Sequence, residues 1–183
     1  MAKKRIAILA LQGAFEEHQQ MLQRIGIDSF LVRNLQDWQQ EKDAVIIPGG
    51  ESTAMMRIMK DEDLYDPIRK EIAEGLPVMG TCAGLIMLDR DHLGTMDIKA
   101  RRNAYGRQLG SFACRGEVKG IGNDIPMTFI RAPYIEEAGD GVEVLATIDN
   151  RMVAARQGKQ LVTAFHPELT DDTRLHEFFV SLI

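Results

Sequence analysis

Cys82 stands midway between two glycines in Gly80-Thr81-Cys82-Ala83-Gly84, after the apolar run Pro77-Val78-Met79 and before Leu85-Ile86-Met87-Leu88. The pattern predicts a strand, a sharp turn and a helix, with the thiol at the tip. A residue in that position sits in strained backbone, and Cβ atoms two places to either side would crowd the turn. The chemistry this suits is nucleophilic attack. Free N–H groups and the macrodipole at a helix start favour the thiolate, which is the attacking form of sulfur. The competing reading is a structural cysteine buried beside a tight turn, since free cysteine is among the most buried residue types.

A nucleophilic thiol needs a base, and the base needs a group to orient it. Of the four histidines, His18 and His176 fall within helical patterns, where solvated or packing roles are expected, and His92 reads as a loop residue. His166 differs because it ends an apolar strand and is followed by Pro167-Glu168. An extended backbone, favoured before proline, brings the Glu168 carboxylate within reach of the imidazole. Cys82, His166 and Glu168 then form a thiol triad; the alternative is a strand-end histidine capped by a neighbouring acid. Acyl transfer also requires donors for a developing oxyanion. Backbone N–H groups of Gly49 and Gly50, after a buried strand, and of Ala83, after the cysteine, are the candidates, although Pro-Gly-Gly can equally be a simple turn.

The elements needed to position these groups are legible as alternation. Strands are expected at residues 6–11, Phe30–Val32, Ala44–Ile47 and before Cys82. Between them lie helical patterns: Phe15 to Ile25, closed by Gly26, a stretch carrying Met55, Met56, Ile58 and Met59 with Ser52 or Thr53 as N-cap, and Leu64 to Ala73. Such alternation implies βαβ units and a parallel sheet. From about Ser111 the pattern changes to Thr128–Ile130, Val142–Ala146, Met152–Ala155 and Leu161–Phe165, read as mostly antiparallel strands added to one side, before a helix from Thr173 to Ile183. One domain spanning residues 1–183 is expected.

Composition narrows the function classes. With 45% hydrophobic and 27% charged residues the chain fits neither a disordered nor a membrane protein, and no apolar run approaches the ~20 residues of a span. A net charge of -5 without a basic stripe argues against nucleic acid. Cys82 and Cys114 form neither a disulfide framework nor a metal spacing, so no metal or cofactor is expected and a reducing cytoplasm is the expected setting.

Taken together, Gly80-Thr81-Cys82-Ala83-Gly84-Leu85, Pro48-Gly49-Gly50-Glu51-Ser52-Thr53 and Phe165-His166-Pro167-Glu168-Leu169-Thr170 resemble the class I (triad) glutamine amidotransferases. Leu11-Gln12-Gly13-Ala14, Arg102-Asn103-Ala104-Tyr105-Gly106-Arg107-Gln108 and Ile130-Arg131-Ala132-Pro133 are similar to the PdxT/Pdx2 subfamily, the glutaminase subunits of pyridoxal 5'-phosphate synthase. The resemblance covers essentially the whole chain. It implies a flavodoxin-like α/β three-layer sandwich with a mostly parallel central sheet and added antiparallel strands. It implies hydrolysis of L-glutamine to glutamate and ammonia through a γ-glutamyl thioester on Cys82, with His166 as base and then acid and Glu168 as its orienter. Gly50, Glu51 and Ser52 would line the glutamine pocket, completed by Arg102, Ile130 and Arg131. The implied partner is the Pdx1/PdxS synthase subunit, twelve copies of each, which receives the ammonia through a tunnel. By residue type alone, Arg102 is a solvated basic pair with Arg101 and Arg131 a surface ion pair.

Three rivals stay open at this stage: an amidotransferase subunit serving another synthase, a binding module that has lost catalysis, and a free-standing cysteine hydrolase. The docking face is expected around Cys82, the glycine loop and Gln12-Gly13; the methionines at 55, 56 and 59 could extend it, although methionines at helical spacing are more often core.

Overall fold

The computed structural model describes residues 3–102 and 111–183. Four apolar runs make its centre. Strands β1 (Arg5–Leu9), β2 (Asp28–Val32), β3 (Ala44–Ile47) and β4 (Val78–Thr81) lie parallel to one another. Consecutive residues Ile6 to Leu9 and Ala44 to Ile47 are wholly buried, so both faces of these strands are covered. Continuous rather than alternating apolarity is what a parallel strand buried on both faces requires.

Six helices are described: α1 (Phe15–Arg24), α2 (Leu35–Trp38), α3 (Ser52–Asp61), α4 (Tyr65–Ala73), α5 (Ala83–Leu88) and α6 (Arg174–Ser181). The sequence reading found all but α2. That short helix is held by a local exchange, in which Asn34 Oδ1 accepts from Asp37 N–H at 2.8 Å and Asp37 Oδ2 accepts from Arg33 N–H at 3.0 Å. One turn is too brief for periodicity to show.

The remaining strands are β5 (Ile98–Arg101), β6 (Ser111–Val118), β7 (Gly122–Ile130), β8 (Tyr134–Ala138), β9 (Glu143–Ile148), β10 (Arg151–Gln157) and β11 (Gln160–Thr163). Nine strands form one sheet in the order β2-β1-β3-β4-β11-β10-β8-β5, with β9 also paired to β10, and β6 and β7 form a separate hairpin. One expectation is corrected here. The strand around Leu161–Phe165 was grouped with the antiparallel additions, yet β11 runs parallel to β4, with Leu161 opposite Met79, and antiparallel to β10. Its apolar residues Leu161 and Val162 are wholly buried like those of the core strands. It is therefore the fifth parallel strand, and Phe165 lies beyond it.

Across the sheet, numbered in chain order, the parallel strands run 2-1-3-4-5. That is the flavodoxin-like arrangement, whose ligand crevice opens at the carboxyl ends of the strands near the β1/β3 reversal. The carboxyl ends of β1, β3, β4 and β11 lead into Gln12-Gly13, Gly49-Gly50, Cys82 and His166 respectively. The topology therefore brings four separate motifs to one edge. Among the described residues no helix is long and apolar enough to cross a membrane.

Candidate active site

Cys82 occupies the junction between β4 and α5 with φ 53° and ψ -107°, a left-handed backbone for a residue with a side chain. Such a conformation costs on the order of 1–3 kcal/mol and persists only where the surroundings impose it. They do so here. Cys82 N–H donates to Thr163 O on β11 at 2.8 Å, and its carbonyl accepts from Leu85 N–H at 3.0 Å. The flanking glycines are needed for space: a Cβ on Gly80 would stand 2.5 Å from Gly84 O, and one on Gly84 would overlap the carbonyl of Ile47 at the end of β3. The elbow read from the sequence is thus present, with its thiol pointed at the Ile130 carbonyl, Sγ to O 3.7 Å.

His166 enters from the other side. Its N–H donates to Thr128 O on β7 at 2.8 Å, and Pro167–Leu169 then form a 3₁₀ turn. Sequence reasoning expected the His166–Glu168 contact from an extended backbone; the turn makes it instead, folding Glu168 back beneath the ring. Glu168 Oε1 and Oε2 accept from His166 Nδ1 at 3.2 and 3.1 Å, and both residues are buried. Burial opposes charge on the imidazole, but hydrogen bonds and attraction from Cys82 and Glu168 outweigh it, pushing His166 up to about 10. Glu168 is pushed up by its own burial, which the His166 contact partly offsets. Sulfur, imidazole and carboxylate therefore share protons along one line, with an imidazolium next to the sulfur favoured at neutral pH.

The Gly49–Gly50 loop closes the third side. A Cβ on Gly49 would overlap the His166 ring and lie 3.1 Å from Cys82 Cβ, so only glycine lets the loop lie against both groups. The loop is held from the end of β1: Ala14 N–H donates to Gly49 O at 2.9 Å, and Glu51 N–H to Gln12 Oε1 at 2.5 Å. Ala83 N–H, the first in α5, belongs to the donors that a helix cannot satisfy internally. Of the three candidate oxyanion donors, Gly49 and Ala83 thus border the cysteine, while Gly50 faces Gln12 and Gly13.

Of the residues expected around glutamine, Ser52 is buried, and Ile130 reaches the site through its backbone carbonyl. Arg131 has φ 46°, a left-handed turn that ends β7 beside the thiol. Arg102 is not in a pair with Arg101: its Nη2 donates to Glu51 Oε1 at 3.2 Å and Thr53 Oγ1 at 3.0 Å. Residues Asn103 to Gln108 of its motif lie outside the described residues.

The N-cap of α3 is neither Ser52 nor Thr53 but Glu51, in extended backbone, whose carboxylate accepts from Thr53 N–H at 3.0 Å and Ala54 N–H at 2.7 Å. The longer side chain wins because both its oxygens reach the two free N–H groups. These bonds hold Glu51 below the ordinary carboxylate value, so its stabilisation is present above that value and lost as pH falls through the folded one. Glu51→Ala is expected to cost about 1 kcal/mol in thermal unfolding at neutral pH, with the gap to wild type closing below about pH 4. An equal gap at pH 3 and pH 7 would show that the cap is not ionic.

Sequence reasoning missed one part of the site. His18 on α1 and His176 on α6 are wholly buried, which fits the packing alternative, but they are also hydrogen bonded to each other, and His18 reaches Glu168 and Thr81. The available signal was the placing of His18 on the same helical face as buried Met21 and Leu22. Met55 and Met59 are also wholly buried, as the core alternative has it, and cannot extend a docking face; only Met56 of that set is partly exposed. Cys114 lies on β6, where burial and nearby Asp149 push its thiol up.

A cysteine elbow after β4, faced by a histidine and a carboxylate after the last parallel strand of a 2-1-3-4-5 sheet, is the architecture of the amidotransferase class of α/β enzymes. The chain belongs to the SNO glutamine amidotransferase family, whose model matches residues 8–183. It is 53% identical over 188 aligned positions, 97% of each chain, to a protein from Streptococcus pneumoniae named pyridoxal 5'-phosphate synthase subunit PdxT. Among solved structures it is similar to a glutamine amidotransferase at 42% identity, with TM-score 0.90 over 97% of both chains. It also shares the fold of PurLQS from Thermotoga maritima, at 17% identity and TM-score 0.66 over 98% of this chain and 99% of that one.

Proposed function

We propose that the chain hydrolyses the side-chain amide of L-glutamine as the glutaminase subunit of a pyridoxal 5'-phosphate synthase, with Cys82, His166 and Glu168 as its catalytic residues. The observation that carries the residue assignment is the strained elbow, which presents the Cys82 thiol to an imidazole backed by a buried carboxylate. The names borne by relatives at 53% identity support the pathway.

The reaction follows from the proton line. Sulfur attacks the amide carbon, and the carbonyl oxygen takes up negative charge facing backbone N–H groups at Ala83 and the Gly49–Gly50 loop. The His166 imidazolium gives its proton to the amide nitrogen, the C–N bond breaks, and ammonia leaves a γ-glutamyl thioester. His166, now neutral, takes a proton from water, hydroxide attacks the thioester, and sulfur departs as glutamate forms. Glu168 holds Nδ1 so that the other ring nitrogen faces the sulfur throughout. At the amino-acid end, Arg102 would receive the α-carboxylate, exchanging its contact with Glu51, and Gly50, Glu51, Ser52, Ile130 and Arg131 would line the pocket. Because the imidazolium is needed for ammonia to leave, kcat/KM is expected to fall as pH rises through about 10. A profile flat from pH 7 to 11 would count against His166 as the acid.

The ammonia is proposed to pass to a synthase subunit of the PdxS type in a cytoplasmic assembly with twelve copies of each. Both ends of the Gly49–Gly50 loop are tied to residues just after β1, so docking near Gln12-Gly13 can set the direction of its peptides. The free chain is therefore a weak glutaminase. The experiment is glutamate release from L-glutamine by the chain alone and with a purified PdxS-type synthase. Release that rises with the synthase supports the reading; release that ignores it moves the partner elsewhere, and none in either case removes the activity.

A further inference from the structure

Behind the proton line lie two imidazoles that the reaction above does not use. His18 Nδ1 is 2.8 Å from His176 Nε2. On its far side His18 Nε2 is 3.2 Å from Thr81 Oγ1, adjacent to the nucleophile, and 3.5 Å from Glu168 Oε2. That same carboxylate oxygen stands 3.1 Å from His166 Nδ1, so one oxygen is shared by two rings.

The protons can be assigned. A lone pair aimed at a carboxylate oxygen would be repelled, so His18 Nε2 carries the hydrogen and Nδ1 accepts from His176 Nε2–H. His176 Nδ1, which has no hydrogen-bond partner among the described residues, is then a bare lone pair and not an orphaned donor. Both rings are neutral: burial, followed by His176 and His166, holds His18 well below its ordinary value, and burial lowers His176 to about 3. A neutral donor steadies the carboxylate without neutralising it, leaving its charge to act on His166.

We infer that His18 is a positioning residue for the acid–base pair: its Nε2–H bonds Thr81 at the elbow and holds its positive dipole 3.5 Å from the Glu168 oxygen that orients His166, while His176 sets the tautomer. The inference rests on the glutaminase reading. The groups facing the carboxylate are His18 from α1, Thr81 from β4 through its contact with His18, and His166 from its own segment, with Glu17 of α1 acting as a nearby like charge.

Two substitutions of similar bulk separate positioning from packing. In His18→Gln the amide nitrogen can occupy the place of Nε2; in His18→Asn the shorter side chain reaches only the place of Nδ1. In the complex with the synthase, His18→Asn is expected to lower kcat about tenfold with KM within about twofold, and to move the alkaline limb to lower pH, because a less well held carboxylate supports the imidazolium less. His18→Gln is expected to stay within about threefold of wild type. Equal losses in both variants, or no loss in either, would overturn the inference. Iodoacetamide labelling at about pH 6, read on the Cys82 peptide by mass spectrometry, needs no glutamine and is expected to slow several-fold in His18→Asn only. A wild-type complex without glutaminase activity defeats the functional reading, while the labelling contrast still judges His18. Should His18→Asn not fold, imidazole nitrogen shifts in the wild-type protein decide: His18 protonated on Nε2 supports the inference, and on Nδ1 overturns it.

Discussion

Cys82→Ala is expected to lower glutamate release by the chain–synthase complex by at least about 10⁴-fold, the scale seen when a covalent nucleophile is removed and only binding and oxyanion donors remain. Neither the neighbouring hydroxyl nor the other cysteine is placed to take over. Thr81 points into the buried His18 contact, and Cys114 sits on β6 with its thiol pushed up by burial. Alanine keeps the left-handed backbone and its hydrogen bond to Thr163 O, so the melting temperature should move little. Cys82→Ser should be nearly as inactive, because a hydroxyl does not form the anion that an adjacent imidazolium favours. Residual activity above about one hundredth of wild type in Cys82→Ala would sink the thioester route.

Gly84→Ala is expected to be among the most damaging single methyl additions to the fold. Its Cβ would overlap Ile47 O and lie 2.9 Å from the Ile47 carbonyl carbon, and these are backbone atoms at the end of a wholly buried strand. Neither side can give, since α5 packs against β3 and β4. Overpacking of this kind costs on the order of 3 kcal/mol, a drop of roughly 6–12 °C in melting temperature for a chain of this size. Displacement of α5 also moves the elbow, so activity should fall with stability. A variant melting within 2 °C of wild type would show that β3 and α5 can part at little cost.

Much of this was legible in the sequence because single residues there have few alternatives. Glycines at two places before and after Cys82 announced an elbow, and the structure gives each a backbone oxygen that a Cβ would strike. Ala44 to Ile47 appeared as a strand with its observed bounds, since a run buried on both faces has no polar interruption. What was missed depends on partners distant in the chain. β11 resembles its antiparallel neighbours in composition, and only its pairing with β4 makes it part of the parallel core. The Glu51 cap competed with two better-known capping residues immediately after it. The His18–His176 contact joins α1 to α6, and nothing local to either helix signals it.

The position of β11 between β4 and β10 has a consequence for how the protein is made. In the roles proposed above, the nucleophile Cys82 follows β4 and its base His166 follows β11, so β5 to β10 are all synthesised in between. A chain emerging from the ribosome therefore carries a thiol without a proton acceptor until β11 slots into place. On that proposal a half-built subunit releases no ammonia, and translation arrested before β11 yields a cysteine that is present but unarmed.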